Sequence, residues 1–407
     1  MANETQTWNL LGTSSSGGGE VPPDELPSET WPLQGGTAWV YRSPRSGTAI
    51  TRPVILADGF HPGRTRLNEF WDGLERRGFN FATQLRARDR DLVILGFDDC
   101  TAAIQRNADT AIQCIDQALN VRKGTVPLVV GGFSMGGLIT RYALAKMEDR
   151  RSPHETAAYI CYDSPHHGAW MPVGLQALIH MLDREGKLGL KQQIDSPAAR
   201  QLLWAHLASI GAPAATPHPD RQAFLRELRD LGDWPQLPRL LGVANGFGAR
   251  NNGVKPRDIA LEATESAGLF AGTTLYTQGS GNGQLVAKFG PALGGIEIRT
   301  DGMPEADGAH GGLLRAFGMA AATLNKVIAD AGGPPGSVRC KYELTGFVPT
   351  SSAIAVVKDD PWQDLGADVR QLSPDSTALD DFMCSSTNTE HTLMTEELGN
   401  WILERLP

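Results

Sequence analysis

The fold of this chain is decided by the stretch PLVVGGFSMGGL, residues 127–138, in which four apolar residues lead into two glycines, one serine and two more glycines. The apolar run predicts a buried strand and residues 135–149 predict a helix, so Ser134 occupies a sharp turn between them. Such a turn strains the serine dihedrals, and glycine is needed at Gly132 and Gly136 because a Cβ atom there would collide with a neighbouring strand or helix. The hydroxyl is then held where backbone N–H groups favour a developing oxyanion. The alternative is a glycine-rich turn in which Ser134 only caps the helix.

Three further apolar runs of strand length flank this stretch. Each is continuous rather than alternating, which is typical of strands buried on both faces. Apolar residues at three- and four-residue spacing in 102–122 predict an amphipathic helix between two of them. The alternation of strand and helix predicts an α/β fold with a mostly parallel central sheet and helices on both faces. The three runs are PVILADGF (53–60), DLVILGFDD (91–99) and TAAYICYD (156–163).

The alternation stops after the last of these runs. Residues 170–238 carry helical patterns interrupted by Pro and Gly, which predicts a helical cap or lid inserted into the core. The α/β core is predicted at residues 37–169 and 239–407, and short β-like pieces within 273–300 suggest a small meander. Residues 1–36, rich in Ser, Gly and Pro, predict a flexible leader.

Charge and apolar content exclude several classes of partner. A net charge of −9 disfavours nucleic acid and anionic membrane surfaces, because both attract basic patches. No stretch reaches the roughly 18 apolar residues of a membrane span, and no secretory signal is recognisable, so we expect a cytoplasmic protein, or a secreted one if a signal has been removed. Scattered cysteines indicate reduced thiols, with a Cys340–Cys384 disulfide expected only in the secreted case. The oligomeric state is not predicted.

A serine hydroxyl is a weak nucleophile at neutral pH and needs a base. His391 lies in a polar loop just before the last predicted helix, and loops often carry function. It is the predicted base, with a solvated loop histidine as the alternative and His310 as the runner-up. His166 and His167 are adjacent and lack the spacing of metal ligands, so they are expected to pack under the cap or contact substrate, and neither a metal nor a cofactor is predicted.

Four segments carry a resemblance to the α/β-hydrolase superfamily, within its lipase- and esterase-like branch. The segment around Ser134 matches the nucleophile elbow of that family, and SPHHGA is similar to a TPHxG segment of triacylglycerol lipases. The resemblance covers roughly residues 37–170 and 238–405. The segments are ILADGF (55–60), GGFSMGGLITRYAL (131–144), DSPHHGA (163–169) and GFVPTSSA (346–353).

The resemblance implies an oxyanion hole built from the N–H of Met135 and one N–H from the loop after strand 53–57. Lipases often have HGF in that loop, whereas this chain has Asp58, Gly59 and Phe60. The residue that replaces the histidine leaves the backbone donor in place, so the Phe60 N–H is carried over as the second donor.

The resemblance also implies the order Ser, acid, His along the chain. The segments in which many bacterial lipases carry the acid hold Thr345 or Asn245 here, and neither is a carboxylate. Some lipases carry the acid after the sixth strand, where this chain has Asp163, which is the predicted acid. The alternative acid is Asp380, with residues 359 and 360 also close to the base in sequence, and Asp163 could instead cap the SPHHGA turn.

These assignments predict a serine hydrolase that cleaves carboxylic esters through an acyl-enzyme on Ser134. The substrate is expected to be a small-molecule acyl ester or thioester, with Trp170, Met171 and His166 as candidate substrate-binding residues. The alternative for the apolar residues among these is ordinary core packing. An acyltransferase, thioesterase or cyclase would use the same residues, and a non-catalytic binding protein on a hydrolase scaffold is the alternative from another class.

Overall fold

The computed structural model describes residues 23, 25–183, 189–212, 214–357, 360 and 362–407. The strands of these residues are, in chain order, β1 (Glu29–Leu33), β2 (Gly36–Tyr41), β3 (Pro53–Ala57), β4 (Asp91–Phe97), β5 (Leu128–Phe133), β6 (Thr156–Tyr162), β7 (Arg239–Ala244), β8 (Ile259–Ala263), β9 (Thr274–Tyr276), β10 (Gln284–Lys288), β11 (Glu297–Thr300), β12 (Gly311–Leu314), β13 (Val338–Cys340), β14 (Thr345–Pro349) and β15 (Asp381–Cys384).

The α-helices connect and cover these strands. None of those in the described part of the chain combines the length and the apolar character that a membrane crossing requires. In chain order they are α1 (Leu67–Glu75), α2 (Phe81–Ala87), α3 (Ile104–Val121), α4 (Met135–Asp149), α5 (Val173–Leu182), α6 (Leu190–Ile194), α7 (Pro197–Leu202), α8 (Pro219–Asp230), α9 (Ala316–Asp330), α10 (Thr350–Ala353) and α11 (Glu396–Arg405).

The central sheet has eight strands in the order β1-β2-β4-β3-β5-β6-β7-β15. From β4 to β15 every neighbouring pair is parallel, and only β1 and β2 run antiparallel to their neighbours. Successive residues of β5 enter different cores: Val130 packs in the cluster that contains α3 and α4, and Val129 packs in the cluster that contains α1, α2 and α11. The predicted mostly parallel sheet with helices on both faces is confirmed.

The predicted leader is wrong at its C-terminal end. Residues 29–33 form β1, which pairs antiparallel with β2, and β2 itself begins at Gly36. Trp31 is the buried residue of β1, since its side chain enters the main core. The physical reason is the open edge of β2, which offers unpaired backbone groups that an adjacent strand can satisfy. Residues 1–22 and 24 lie outside the described residues.

Four helices, α5 to α8, lie between β6 and β7, in the segment predicted to be helical. A second sheet with the order β11-β10-β9-β8-β13 accounts for the β-like pieces and extends beyond them on both sides. Helix α5 packs closely on this sheet, because a Cβ atom on Gly174 would lie 2.3 Å from the Val286 carbonyl oxygen. The helical segment is therefore held by the second sheet through α5 and by α3 through α7, where the Ile104 N–H donates to Gln201 Oε1 at 2.8 Å. All five cysteines are free thiols, so Cys340 and Cys384 are not bridged.

Candidate active site

Ser134 occupies the turn between β5 and α4 in a strained conformation. Its φ is 52° and its ψ is −123°, a region that a residue with a Cβ atom adopts only when its surroundings enforce it. Its N–H donates to the Tyr162 carbonyl oxygen at 2.9 Å, which fixes the turn to the end of β6. The side chain makes no capping hydrogen bond to α4. The alternative in which Ser134 serves only as a helix cap is therefore wrong, and its hydroxyl is not committed to the helix.

The glycines around Ser134 are required by close backbone approach. A Cβ atom on Gly132 would lie 2.4 Å from the Gly136 carbonyl carbon, and one on Gly136 would lie 2.3 Å from the Ala57 carbonyl oxygen. Both distances are far shorter than any contact that a methyl group tolerates. The predicted reason for glycine at these two positions is confirmed, with β3 as the neighbouring strand.

The structure brings His391 and Asp163 together although 228 residues separate them in the chain. His391 Nδ1 and Asp163 Oδ2 are 2.6 Å apart, and both side chains are buried. The other carboxylate oxygen of Asp163 accepts the Asn245 N–H at 3.0 Å. This arrangement holds the imidazole in one orientation and leaves its Nε2 atom for chemistry.

His391 Nε2 is buried and has no hydrogen-bond partner among the residues that the structure describes. It is therefore not hydrogen-bonded to Ser134 here, although such bonds are often long in unliganded sites and tighten when substrate binds. The His391 N–H donates to the Leu313 carbonyl oxygen at 2.8 Å, and the Phe347 ring packs edge-on against the imidazole at 4.9 Å. Asn245 and Phe347 thus hold Asp163 and His391 in place, and neither contact was visible in the sequence.

The two predicted oxyanion donors belong to the elbow and to the loop after β3. Neither the Met135 N–H nor the Phe60 N–H makes a hydrogen bond to another described residue. The loop and the elbow are in contact, because a Cβ atom on Gly59 would lie 3.1 Å from Ser134 Cβ and 3.7 Å from the Met135 nitrogen. Two free N–H groups beside an uncommitted hydroxyl are what an oxyanion hole requires.

The structure does not bring the runner-up residues to this site. His310 is buried, with Nδ1 3.0 Å from the Thr350 hydroxyl and Nε2 2.9 Å from the Ala367 carbonyl oxygen, so both ring nitrogens are occupied. Asp380 is exposed and accepts the Leu240 N–H at 2.6 Å, at the amino end of β7. That is the opposite edge of the sheet from Ser134. Residue 360 is described but residue 359 lies outside the described residues.

The three candidate substrate-binding residues are all buried. His166 Nδ1 lies 3.3 Å from the Arg141 guanidinium, and its ring packs on Trp234 at 4.7 Å. Burial, with the nearby Arg141 charge, holds the pKa of His166 well below its usual range, so this imidazole is neutral. The Trp170 indole N–H donates to Asp307 at 2.6 Å, and Met171 belongs to the main core. These positions match packing under the helical segment, which was the alternative interpretation.

One group of side chains has the composition of a metal site. The ligand atoms of Asp58, His61 and Cys100 all lie within 4.8 Å of one another. The Asp58 carboxylate already accepts hydrogen bonds from His61 Nε2 at 2.8 Å and from the Thr65 hydroxyl at 2.7 Å. The group is thus satisfied internally. The sequence predicted no metal, and it gave no indication that these side chains meet.

No protein-family model and no curated protein matches the chain. Among solved structures, it is similar to lipase BlEst2 of Bacillus licheniformis in mature form, at 13% identity and a TM-score of 0.33, over 55% of this chain and 74% of that chain. It is also similar to lipase B of Aspergillus fumigatus, at 17% identity and a TM-score of 0.32, over 50% of this chain and 40% of that chain. For Est1E from Butyrivibrio proteoclasticus the identity is 16% and the TM-score 0.30, over 52% and 77% of the two chains.

These likenesses cover about half of this chain. A mostly parallel sheet places a strained serine on a strand-to-helix turn at its carboxyl edge, and the hydrogen-bonded Asp163 and His391 follow it in that order along the chain. The chain has the α/β-hydrolase fold.

Proposed function

We propose that this protein is a serine hydrolase that cleaves carboxylic esters through an acyl-enzyme on Ser134. The observation that carries the proposal is the 2.6 Å hydrogen bond between His391 Nδ1 and Asp163 Oδ2. This bond joins distant parts of the chain, buries a carboxylate behind an imidazole, and leaves Nε2 without another partner. A buried pair of this kind, whose acid follows the strand next to the serine elbow, is the arrangement that would activate the Ser134 hydroxyl.

In the proposed mechanism, Ser134 Oγ attacks the acyl carbonyl carbon while His391 Nε2 takes the hydroxyl proton. Asp163 stabilises the imidazolium that forms, because its carboxylate accepts the Nδ1–H. His391 then returns the proton to the leaving alkoxide, and the C–O bond to the leaving group breaks. A water molecule, deprotonated by His391, releases the acid from Ser134 and restores the hydroxyl.

The Phe60 and Met135 N–H groups would hold the negative oxygen of both tetrahedral intermediates. Their contribution is large because they are fixed before the reaction begins, and each donor of this kind accounts for about 10²- to 10³-fold in kcat. The elbow serine is 8% exposed, so a substrate would meet its hydroxyl in an enclosed site. The helical segment 170–238 is the proposed cap. The backbone N–H of Trp170, at the start of this segment, donates to the carbonyl oxygen of Phe347, and the Phe347 ring packs on His391.

The experiment is steady-state hydrolysis of a panel of p-nitrophenyl esters and acyl thioesters by the wild type, Ser134→Ala and Ser164→Ala. Ser164 is the matched control, because it is a buried serine near the same edge whose hydroxyl has no partner among the described residues. We expect kcat to fall at least about 10⁴-fold in Ser134→Ala and to stay within about threefold in Ser164→Ala. Absence of turnover by the wild type, or more than a tenth of its activity in Ser134→Ala, would overturn the proposal.

A further inference from the structure

The loop that carries the Phe60 N–H is organised by one carboxylate. Asp58 Oδ1 accepts the Gly59 N–H at 2.7 Å, and Oδ2 accepts the Thr65 hydroxyl at 2.7 Å. His61 Nε2 lies 2.8 Å from the same Oδ2 atom and completes an ion pair. All of these contacts lie within eight consecutive residues, with the oxyanion donor between them.

Strand β4 anchors this network to the sheet. The Phe97 N–H donates to the Thr65 hydroxyl at 2.9 Å, while the Thr65 N–H donates to the Phe97 carbonyl oxygen at 2.8 Å. The Asp58 N–H donates to the Leu95 carbonyl oxygen at 3.0 Å. Through Thr65 the carboxylate is therefore held from both ends of the loop, so the backbone at Gly59 and Phe60 has little freedom to move.

The charges in this group cancel. Burial by itself would lower the pKa of His61, but the charge of Asp58 and its hydrogen bond outweigh that effect and raise the pKa to about 11. The imidazole is accordingly a cation at neutral pH and offsets the carboxylate. Burial raises the pKa of the neighbouring Cys100 thiol, which remains protonated.

We propose that Asp58 and His61 form a positioning pair for the oxyanion hole. Asp58 fixes the backbone that presents the Phe60 N–H, and His61 neutralises a carboxylate that would otherwise repel the developing oxyanion. Neither residue touches the reacting atoms. The inference rests on the proposed ester hydrolysis and assigns a role to the aspartate that stands where many lipases have histidine.

His61 is needed to neutralise Asp58 because the Asp58 carboxylate lies close to the position of the developing oxyanion. Phe60 is two residues from Asp58, so an uncompensated carboxylate would lie within about 10 Å of the oxyanion, where the low local dielectric strengthens repulsion. Each polar side-chain atom of the pair has a partner within the loop, since Asp58 accepts from Gly59, His61 and Thr65, and His61 Nδ1 lies 3.3 Å from the Pro62 carbonyl oxygen. An ion pair therefore accounts for the cluster without a bound cation.

The test measures kcat and KM for p-nitrophenyl ester hydrolysis in His61→Gln, Asp58→Asn and the double variant. Glutamine keeps a hydrogen-bond donor toward Asp58 but removes the positive charge. His154→Gln is the matched control, since His154 is buried and lies 3.1 Å from Glu148 at the amino end of β6, on the edge of the sheet opposite Ser134. Thermal melts and metal content are recorded for every variant.

We expect kcat of His61→Gln to fall about 10- to 100-fold with KM within about twofold, because the loss affects the transition state and not substrate binding. The neutral double variant should regain most of the lost kcat, which a purely structural role would not produce. His154→Gln should keep its kcat within about twofold even if its melting temperature falls.

Three results would overturn the proposal. They are a His61→Gln kcat within twofold of the wild type, a double variant no faster than His61→Gln, or stoichiometric metal whose removal abolishes activity. If His61→Gln does not melt cooperatively, Thr65→Val is measured instead; it removes a hydrogen bond from Asp58 without changing charge and should lower kcat about three- to tenfold. An inactive wild type would refute the proposed function itself, whereas an active wild type with unaffected variants would refute only this inference.

Discussion

Replacing Asp163 by asparagine tests whether the buried carboxylate drives catalysis. The substitution preserves the shape of the side chain and its contact with the Asn245 N–H. It removes the charge and can place an amide donor opposite His391 Nδ1, which favours the wrong tautomer of the imidazole. The base would then be unable to take the Ser134 proton at Nε2, although every group would still be present.

The size of the expected loss in kcat follows from the distance between His391 and Asp163. Nδ1 and Oδ2 are 2.6 Å apart, which places the centres of the two delocalised charges about 4 Å apart, where an ion pair is worth about 4 kcal/mol at an effective dielectric constant of 20. That energy corresponds to about three orders of magnitude in kcat. The unfavourable tautomer adds to it, and the equivalent substitution in a serine protease costs about four orders. The expected loss is therefore about 10³- to 10⁴-fold.

The assay is kcat for p-nitrophenyl ester hydrolysis, with a thermal melt to show that the variant folds. Asp380→Asn is the matched control, because Asp380 was the alternative acid and lies at the other edge of the sheet, bonded to the Leu240 N–H. Its kcat should remain within twofold of the wild type. A folded Asp163→Asn enzyme with more than a tenth of wild-type kcat, or an equal loss in Asp380→Asn, would refute the assignment of the acid.

Three further predictions concern packing, pH and the runner-up base. In a denaturant titration, Gly132→Ala should lower the free energy of unfolding by at least about 3 kcal/mol, because the new Cβ would lie 2.4 Å from Gly136. Gly73→Ala is the control and should be neutral or slightly stabilising, since a Cβ there would meet no atom of another described element within 4 Å. Burial raises the pKa of Asp307 from its ordinary 3.8 to about 6. The stability that this residue contributes is therefore complete below about pH 4 and declines by about 3 kcal/mol as the pH rises through 6. The melting temperature of Asp307→Asn should rise relative to that of the wild type between pH 4 and 7, and a constant difference between the two melting temperatures would contradict this. His310→Gln should leave kcat within about threefold, because both nitrogens of His310 already have partners, and a loss comparable to that of His391→Gln would show that the base is misassigned.

The elbow was predictable because its determinants are contiguous. A buried strand, two glycines that permit close backbone approach and a following helix all lie between residues 127 and 149, and each is visible from composition and period. Ser134 and Met135 follow from this local pattern, whereas Phe60 was assigned from the resemblance and the strand order was not predicted.

The acid could be proposed but not chosen from the sequence alone. Asp163 and Asp380 both stand beside strands, and the difference lies in which end of the strand each one occupies. Because β15 runs parallel to β7, Asp380 falls at the amino edge, whereas Asp163 follows β6 at the carboxyl edge. Strand direction in the last part of the sheet is a tertiary property that no local pattern shows.

The second sheet and the edge strand β1 depend on contacts between distant short segments. Val338 pairs with Ala263, and the strands on either side are only three to five residues long, too short for a clear period. The Asp58–His61 pair illustrates a related limit. Its spacing is visible in the sequence, but its charge state depends on the 2.8 Å contact between the two side chains, which only the folded loop provides.

Activation of Ser134 by His391 is tested by the intact mass of the protein after exposure to a fluorophosphonate, measured for the wild type, Ser134→Ala and His391→Gln. An activated serine reacts with this probe only when its base is in place. We expect a single adduct on the wild type, none on Ser134→Ala, and labelling slowed by at least about a hundredfold on His391→Gln. Equal labelling of the wild type and Ser134→Ala, or no labelling of a folded wild type in the presence or absence of detergent, would contradict this expectation.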